Sequence, residues 1–258
     1  MPQVPVFDQE HYKALNSSRS AFVSRFLPGW KSKFSMATAI DVGCGFGFFS
    51  SYLAEHGFQV TGIDGRKENV REAQERNPNA TIRQYDVEDS NLVNLGCYDF
   101  ALCFGLLYHL ENPFRAIRTL KSLTRHILLL EGMCIPGSAP IMQLLNEGAT
   151  DDQGLNYVAF YPSEACIIKM LYRAGFPFVY GFPDKPEHAD YENNAERFRY
   201  RTILVASNSA LQQPGVQLAP EPLTPENLWQ TAFARTKRKI RGSLGAVKRS
   251  IRPVTKLP

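Results

Sequence analysis

The sequence predicts an α/β fold built on a doubly wound, mainly parallel seven-stranded sheet, and three observations carry that expectation. Over residues 37–130, short β-like apolar runs alternate with stretches at helical spacing, a pattern that calls for parallel strands with helices on both faces. A glycine turn, Gly43-Cys44-Gly45-Phe46-Gly47, falls between the first strand and the first helix of that series. Acids stand where the second and third strands end, at Asp64 and Asp86.

Taken in order, residues 8–30 place Tyr12, Leu15, Phe22 and Phe26 at helical spacing and predict one or two N-terminal helices ahead of the sheet. Strands follow at 37–42, 59–63, 81–85, 100–104 and 126–130, with helices at 48–55, 67–76 and 113–123. The alternation then stops. Residues 131–160 are rich in Gly, Pro, Asn and Asp and too long for a connector, which predicts a lid over an acceptor. Helical spacing resumes at 163–174 between an N-cap residue, Ser163, and a stop, Gly175. Two final strands at 176–182 and 198–206 form the sheet's antiparallel end and close a domain spanning 1–207. Residues 208–226 carry four prolines and read as a stiff linker; residues 227–258 form a C-terminal amphipathic tail.

With 258 residues, 44% apolar and 21% charged, the chain has the composition of one large globular domain. The longest apolar run, 100–108, is too short to span a bilayer. Residues 1–8 have neither the basic start nor the long apolar stretch of a signal peptide, so a cytoplasmic location is expected. The five cysteines include no C-x-x-C pair and read as free thiols rather than as a zinc site. Charge is unevenly spread: residues 235–258 hold nine Lys or Arg and no acid, leaving 20 bases against 25 acids before them. A basic arm on an acidic body points to an anionic partner for the arm.

The glycine turn needs glycine because a side chain would keep a ligand off the backbone and because the turn requires unusual φ angles. Phe48 occupies the position where a dinucleotide fingerprint has its third glycine, which argues against a nicotinamide cofactor. An acid at the end of the second strand, Asp64, suits both hydroxyls of a ribose; Asp86, with the Val87 backbone, suits the edge of an adenine. Singly, Asp64 is equally readable as a turn former before Gly65, and Asp86 as a helix cap. Jointly they outline a nucleoside site at the strands' C-terminal ends.

At these residues the chain resembles the class I S-adenosylmethionine-dependent methyltransferases, from about residue 38 to residue 130 and in extension to 206. The first motif is matched by Asp41-Val42-Gly43-Cys44-Gly45-Phe46-Gly47, the ribose acid by Asp64 and the adenine-side acid by Asp86. The segment after the fourth strand is matched by Phe104-Gly105-Leu106-Leu107-Tyr108-His109-Leu110. The run Tyr108-His109-Leu110-Glu111-Asn112-Pro113 is similar to a subgroup that includes small-molecule, glycan and transfer-RNA modification enzymes. The resemblance implies a Rossmann-like methyltransferase fold with S-adenosylmethionine across the ends of strands one, two and four. Gly43, Cys44, Gly45 and Gly47 would lie under its methionine part, with Asp41, Phe104 and Gly105 around its ammonium group. Its sulfonium would face Tyr108 and His109, and no metal would be needed for methyl transfer.

His109 is the expected general base, since imidazole titrates near neutrality and can take a hydroxyl proton as the methyl arrives. Tyr108, Glu131 and Tyr161 are the expected acceptor contacts; Glu131 is chosen because it ends the predicted fifth strand and so should reach the mouth of the sheet. Tyr12 and Arg201 are weaker candidates. In the tail, Trp229, Phe233, Ile240, Leu244, Val247 and Ile251 keep one helix face apolar among basic residues, a pattern suited to an anionic membrane surface and, second, to docking on the body or on another subunit. The expected activity is methylation of a hydroxyl on a small-molecule or glycan acceptor. An RNA methyltransferase using the tail as an electrostatic arm ranks second, although nucleic acid is the less favoured partner because few aromatics interleave with the charges. A non-catalytic, cofactor-binding, membrane-docked module ranks third.

Overall fold

A computed structural model describes residues 4–148, 153–155, 157–193 and 198–223. Its centre is a sheet of eight strands in the order β10-β8-β9-β5-β4-β1-β2-β3. Strands β1 (Thr38–Val42), β2 (Gln59–Asp64), β3 (Thr81–Gln84), β4 (Tyr98–Phe104) and β5 (Thr124–Cys134) are parallel neighbours. Strand β9 (Tyr200–Ser207) runs antiparallel to β5, and β8 (Phe178–Gly181) antiparallel to β9. Strand order reverses between β1 and β4, so a crevice opens beyond their C-terminal ends.

Helices cover both faces because alternate strand residues point to opposite sides. On one face Phe100, Leu102, Ile127 and Leu129 pack with Phe22, Trp30, Phe49 and Leu53. These come from α1 (Glu10–Ser24), α2 (Leu27–Phe34) and α3 (Phe48–Glu55). On the other, Ala101, Cys103, Leu128 and Leu130 pack with Ile117, Leu120, Ile167 and Leu171. Those helical residues belong to α5 (Pro113–Leu123) and α6 (Glu164–Arg173), while α4 (Lys67–Arg76) packs Val70 and Ala73 near Ile82 of β3. Helix α6 starts where expected, the Ser163 hydroxyl accepting the Cys166 N–H at 3.1 Å.

Three expectations are corrected. The sheet has an eighth strand, β10 (Gln217–Leu218), inside the predicted linker. A turn at Pro214-Gly215, with Gly215 at φ +85°, returns the chain to pair Leu218 with Tyr180 of β8. Leu211 is buried there as well and donates its N–H to the Tyr180 hydroxyl, so the compact unit runs to Glu221 rather than to residue 207. Second, β5 continues four residues past Leu130, because β9 pairs with it as far as Cys134 and supplies hydrogen bonds to its second edge. Third, the lid region is not irregular throughout: β6 (Met142–Asn146) and β7 (Val158–Pro162) form an antiparallel hairpin. The predicted tail, 227–258, and linker residues 224–226 lie outside the described residues. No helix among the described residues is long and apolar enough to cross a membrane.

Candidate active site

The crevice is a cavity of about 430 Å³, walled by the glycine turn, the ends of β2 and β4, the turn after β4, helix α1 and lid residues 153–155. Gly43, Gly45 and Gly47 take φ values of +75°, +53° and +84°, a region that costs other L-residues roughly 1–2 kcal/mol each. A Cβ on Gly43 would sit 2.9 Å from the Leu106 side chain, and one on Gly47 would overlap the Asn77 amide. Glycine is therefore required by conformation and by space, and it leaves bare backbone facing the cavity.

Asp64 ends β2 in the cavity wall and is the best-anchored acid there. Its carboxylate accepts from the Gly45 N–H (3.0 Å), the Arg66 N–H (2.9 Å) and the Asn69 amide (3.1 Å). Burial nonetheless raises its pKa above the usual carboxylate range. Cys44, Asp86, Val87, Phe104, Gly105, Tyr108 and His109 also line the cavity. Asp86 is exposed, and its Oδ1 accepts the Glu88 N–H at 2.8 Å. His109 sits in a 3-10 turn, Leu107–His109, directly after the β4 exit. Among the described residues no cluster of His, Cys, Asp or Glu is arranged to hold a metal ion.

Three assigned residues do not reach the cavity wall. Asp41 points under the glycine turn toward α3, where its Oδ2 accepts the Ser50 hydroxyl at 2.8 Å; burial without a cation pushes its pKa up to about 7. Glu131 is mid-strand because β5 is longer than expected, and it is 0% exposed. It is held by Arg19 at 2.7 Å and Arg201 at 3.2 Å, and accepts the Tyr191 hydroxyl at 3.1 Å. Burial alone would raise the Glu131 carboxyl; the two guanidiniums hold it below its ordinary value. Tyr161 lies behind Tyr108, ring centroids 5.5 Å apart and edge to face, with its hydroxyl accepting from Arg199 at 2.7 Å. By contrast Tyr12 and Arg201, the weaker candidates, do line the cavity.

The sequence reading missed Arg19, Glu147 and the Arg66 contacts to the lid. Arg19 had a signal: it occupies a core position of α1, between Leu15 and Phe22, where an unpaired arginine would be costly. Glu147 had none, since only the fold of the hairpin brings it to 2.5 Å from His109. Arg66 donates to the carbonyls of Gln153 and Gly154 at 2.9 and 3.1 Å, which ties the lid to the turn that follows Asp64.

Glycine cradle, strand-end acid and switch-point crevice define the class of fold, and the comparisons agree with it. Residues 40–126 match the family model described as a methyltransferase domain. The ubiquinone biosynthesis O-methyltransferase of Vibrio campbellii (strain ATCC BAA-1116) is 30% identical over 129 residues, 44% of this chain and 55% of that protein. Its counterpart in Vibrio vulnificus (strain YJ016) is 33% identical over 147 residues, 51% and 60% of the two chains. The chain thus spans little more than half the length of these curated relatives. The N-terminal domain of EvdMO1, solved in the presence of SAH and D-fucose, shares the fold with a TM-score of 0.62 at 22% identity, over 77% of this chain and 84% of that one. The magnesium protoporphyrin IX methyltransferase of Synechocystis PCC 6803 with bound SAM gives 0.53 at 23% identity, over 81% and 86%. Residues 40–126 thus carry a methyltransferase domain, set in a chain that has the fold of S-adenosylmethionine-dependent methyltransferases.

Proposed function

We propose that the protein binds S-adenosylmethionine and methylates a hydroxyl oxygen of a small-molecule or glycan acceptor. One observation carries this reading: the glycine cradle, Asp64 and the His109 ring border a single cavity. The residues fit the cofactor, since the turn that a Cβ would block leaves backbone free to meet it, and Asp64 keeps acceptor capacity beyond its three intramolecular bonds. Gly43, Gly45 and Gly47 would hold its amino-acid part, Asp64 its ribose, and Asp86 with the Val87 backbone its adenine. When bound, the cofactor supplies an electrophilic methyl carbon on a sulfonium. His109 takes the acceptor's hydroxyl proton on a ring nitrogen, while Tyr108, backed by Tyr161, walls the acceptor space and limits water. The small-molecule character of the acceptor is supported by the relatives named for ubiquinone biosynthesis.

Calorimetry with S-adenosylhomocysteine tests the cofactor site: Asp64→Ala should weaken binding about 10²-fold, as loss of charge-assisted hydrogen bonds implies. Turnover with a panel of catechols and deoxyhexoses tests the base: His109→Ala should lower kcat about 10²-fold at nearly unchanged cofactor affinity. Unchanged affinity in the first variant, or equal loss of both quantities in the second, overturns the corresponding assignment. Tight cofactor binding with no turnover on any acceptor would favour a non-catalytic module.

We propose in addition that residues 227–258 bring the protein to anionic bilayers. Their apolar stripe set among basic residues supports this. The body offers compatible chemistry in a groove that places Met142 and Phe160 beside Phe114, Arg115 and Arg118. The full chain should co-sediment with phosphatidylserine vesicles and lose that on deletion of 227–258; equal binding without the segment would refute its role.

A further inference from the structure

We infer that Glu147 is the positioning residue for His109, fixing which ring nitrogen can receive a proton and where the ring points. The inference rests on the reading of His109 as the base, and its geometry stands on the lid. Glu147 Oε1 is 2.5 Å from His109 Nδ1, and the two side chains are only 3% and 11% exposed. The other carboxylate oxygen, Oε2, accepts the Gly154 N–H at 2.8 Å, and the Glu147 N–H donates to the Tyr157 carbonyl at 2.9 Å. The lid thus anchors one carboxylate oxygen and the residue's backbone, and the other oxygen meets the imidazole.

An ionised carboxylate only accepts, so the proton of a neutral imidazole must sit on Nδ1, which leaves Nε2 with a free lone pair. The proton balance follows. The acceptor's hydroxyl proton passes to Nε2, and His109 becomes an imidazolium. Its charge is held by the Nδ1–H bond to Glu147, and the proton leaves to solvent from Nε2 after the methylated product departs. Glu147 itself need not change protonation; it plays the part that an orienting carboxylate plays in other base dyads.

The packing around the pair explains why the lid must fold for this to work. A Cβ on Gly154 would collide with the His109 carbonyl oxygen, so glycine alone lets this loop residue of the lid press against the 3-10 turn. One residue on, Leu155 lies against Gly65, where a Cβ would stand 2.9 Å from it, and Arg66 clasps the carbonyls of Gln153 and Gly154. A single stretch of lid thus touches the base and the turn that follows the ribose acid.

The test uses the full chain with ¹⁵N-labelled histidine. The nitrogen shifts of His109, assigned by comparison with His109→Ala, should report the Nδ1–H tautomer in the native protein, and Glu147→Ala should move the population toward Nε2–H. With whichever hydroxyl acceptor of the catechol and deoxyhexose panel turns over, Glu147→Ala should lower kcat about 10²-fold with KM changed less than threefold. Affinity for S-adenosylhomocysteine should stay within about twofold, and Glu147→Asp should recover part of kcat. If Glu147→Ala fails to fold, Glu147→Leu, which keeps the bulk but cannot accept a hydrogen bond, takes its place in each measurement. A native His109 in the Nε2–H form, or a Glu147 variant with native kcat while His109→Ala is impaired, overturns the inference. Failure of S-adenosylhomocysteine to bind the native chain would sink the cofactor reading instead, and the tautomer measurement does not depend on it.

Discussion

Two carboxyls buried behind the cavity wall, one beneath the glycine turn and one between α1, β5 and β9, have been solved in opposite ways. At the cofactor end Asp41 is 2% exposed and its side-chain oxygen is satisfied by a neutral donor, Ser50, so burial drives its pKa up to about 7. At the end where α1, β5, β9 and the lid meet, Glu131 is fully buried between Arg19 and Arg201, which hold it ionised. The difference follows from how each end is built. The cofactor end is made by consecutive strand-to-helix turns and needs no long-range charge to assemble. The lid end collects α1, β5, β9 and the lid from distant parts of the chain, and the Arg19–Glu131–Arg201 cluster is what joins the first three.

The largest expected effect comes from breaking that cluster. Glu131→Gln leaves two buried guanidiniums facing each other without their shared counter-charge, a loss of about 3–5 kcal/mol by analogy with other broken buried pairs. Urea denaturation should show the midpoint falling, and the damage should concentrate at the lid end. Hydrogen exchange should therefore rise in α1 and β9 while the glycine turn keeps its protection. Uniform loss of protection would mean that the two ends are one cooperative unit; no change in midpoint would mean that the arginines find other partners.

The same contrast explains what was legible in the sequence. The cavity-lining places of Asp64, Asp86 and the glycine turn are legible because each lies within a few residues of its own strand end, and β1 to β5 announce themselves through local periodicity. Glu131 was misplaced because the length of β5 is decided by β9, whose Ile203 pairs with it across 72 residues of chain. Strand β10 was hidden for a related reason. Prolines make 208–226 look like a linker, while the burial of Leu211 and the pairing with β8 are visible only in three dimensions. Asp41 was assigned to the ligand by its motif, yet strand alternation already set it apart from its neighbours Ile40 and Val42, and Ser50 on α3 takes it up. The His109–Glu147 pair had no sequence signal, since 38 residues separate the partners and a hairpin closes the gap.

A smaller effect, and one with a definite sign, is expected at the cofactor end. In the unfolded chain Asp41 ionises near 3.8, whereas in the folded protein burial raises it to about 7. Between those values the folded state binds the extra proton, so stability must fall as pH climbs from about 4 to about 7. Asp99, at the opposite end of β4, has the reverse sign. Burial would raise its pKa, but hydrogen bonds from the Ala37 and Thr38 backbone, the Thr38 hydroxyl and Arg125 bring it down to about 2. Its contribution is complete above about 4 and is lost only as pH drops toward 2, so it adds no slope in the window where Asp41 acts. Asp41→Asn removes the titration and keeps an oxygen for the Ser50 hydroxyl. The variant should match the native Tm at pH 4 and exceed it by a margin that grows to about pH 7 and then levels. Asp64, raised in the same direction, gives the native curve additional slope that the difference between the two proteins largely removes. A margin independent of pH would mean that Asp41 is ionised in the folded state, and hence that a cation reaches under the glycine turn, which would erase the distinction between the two ends.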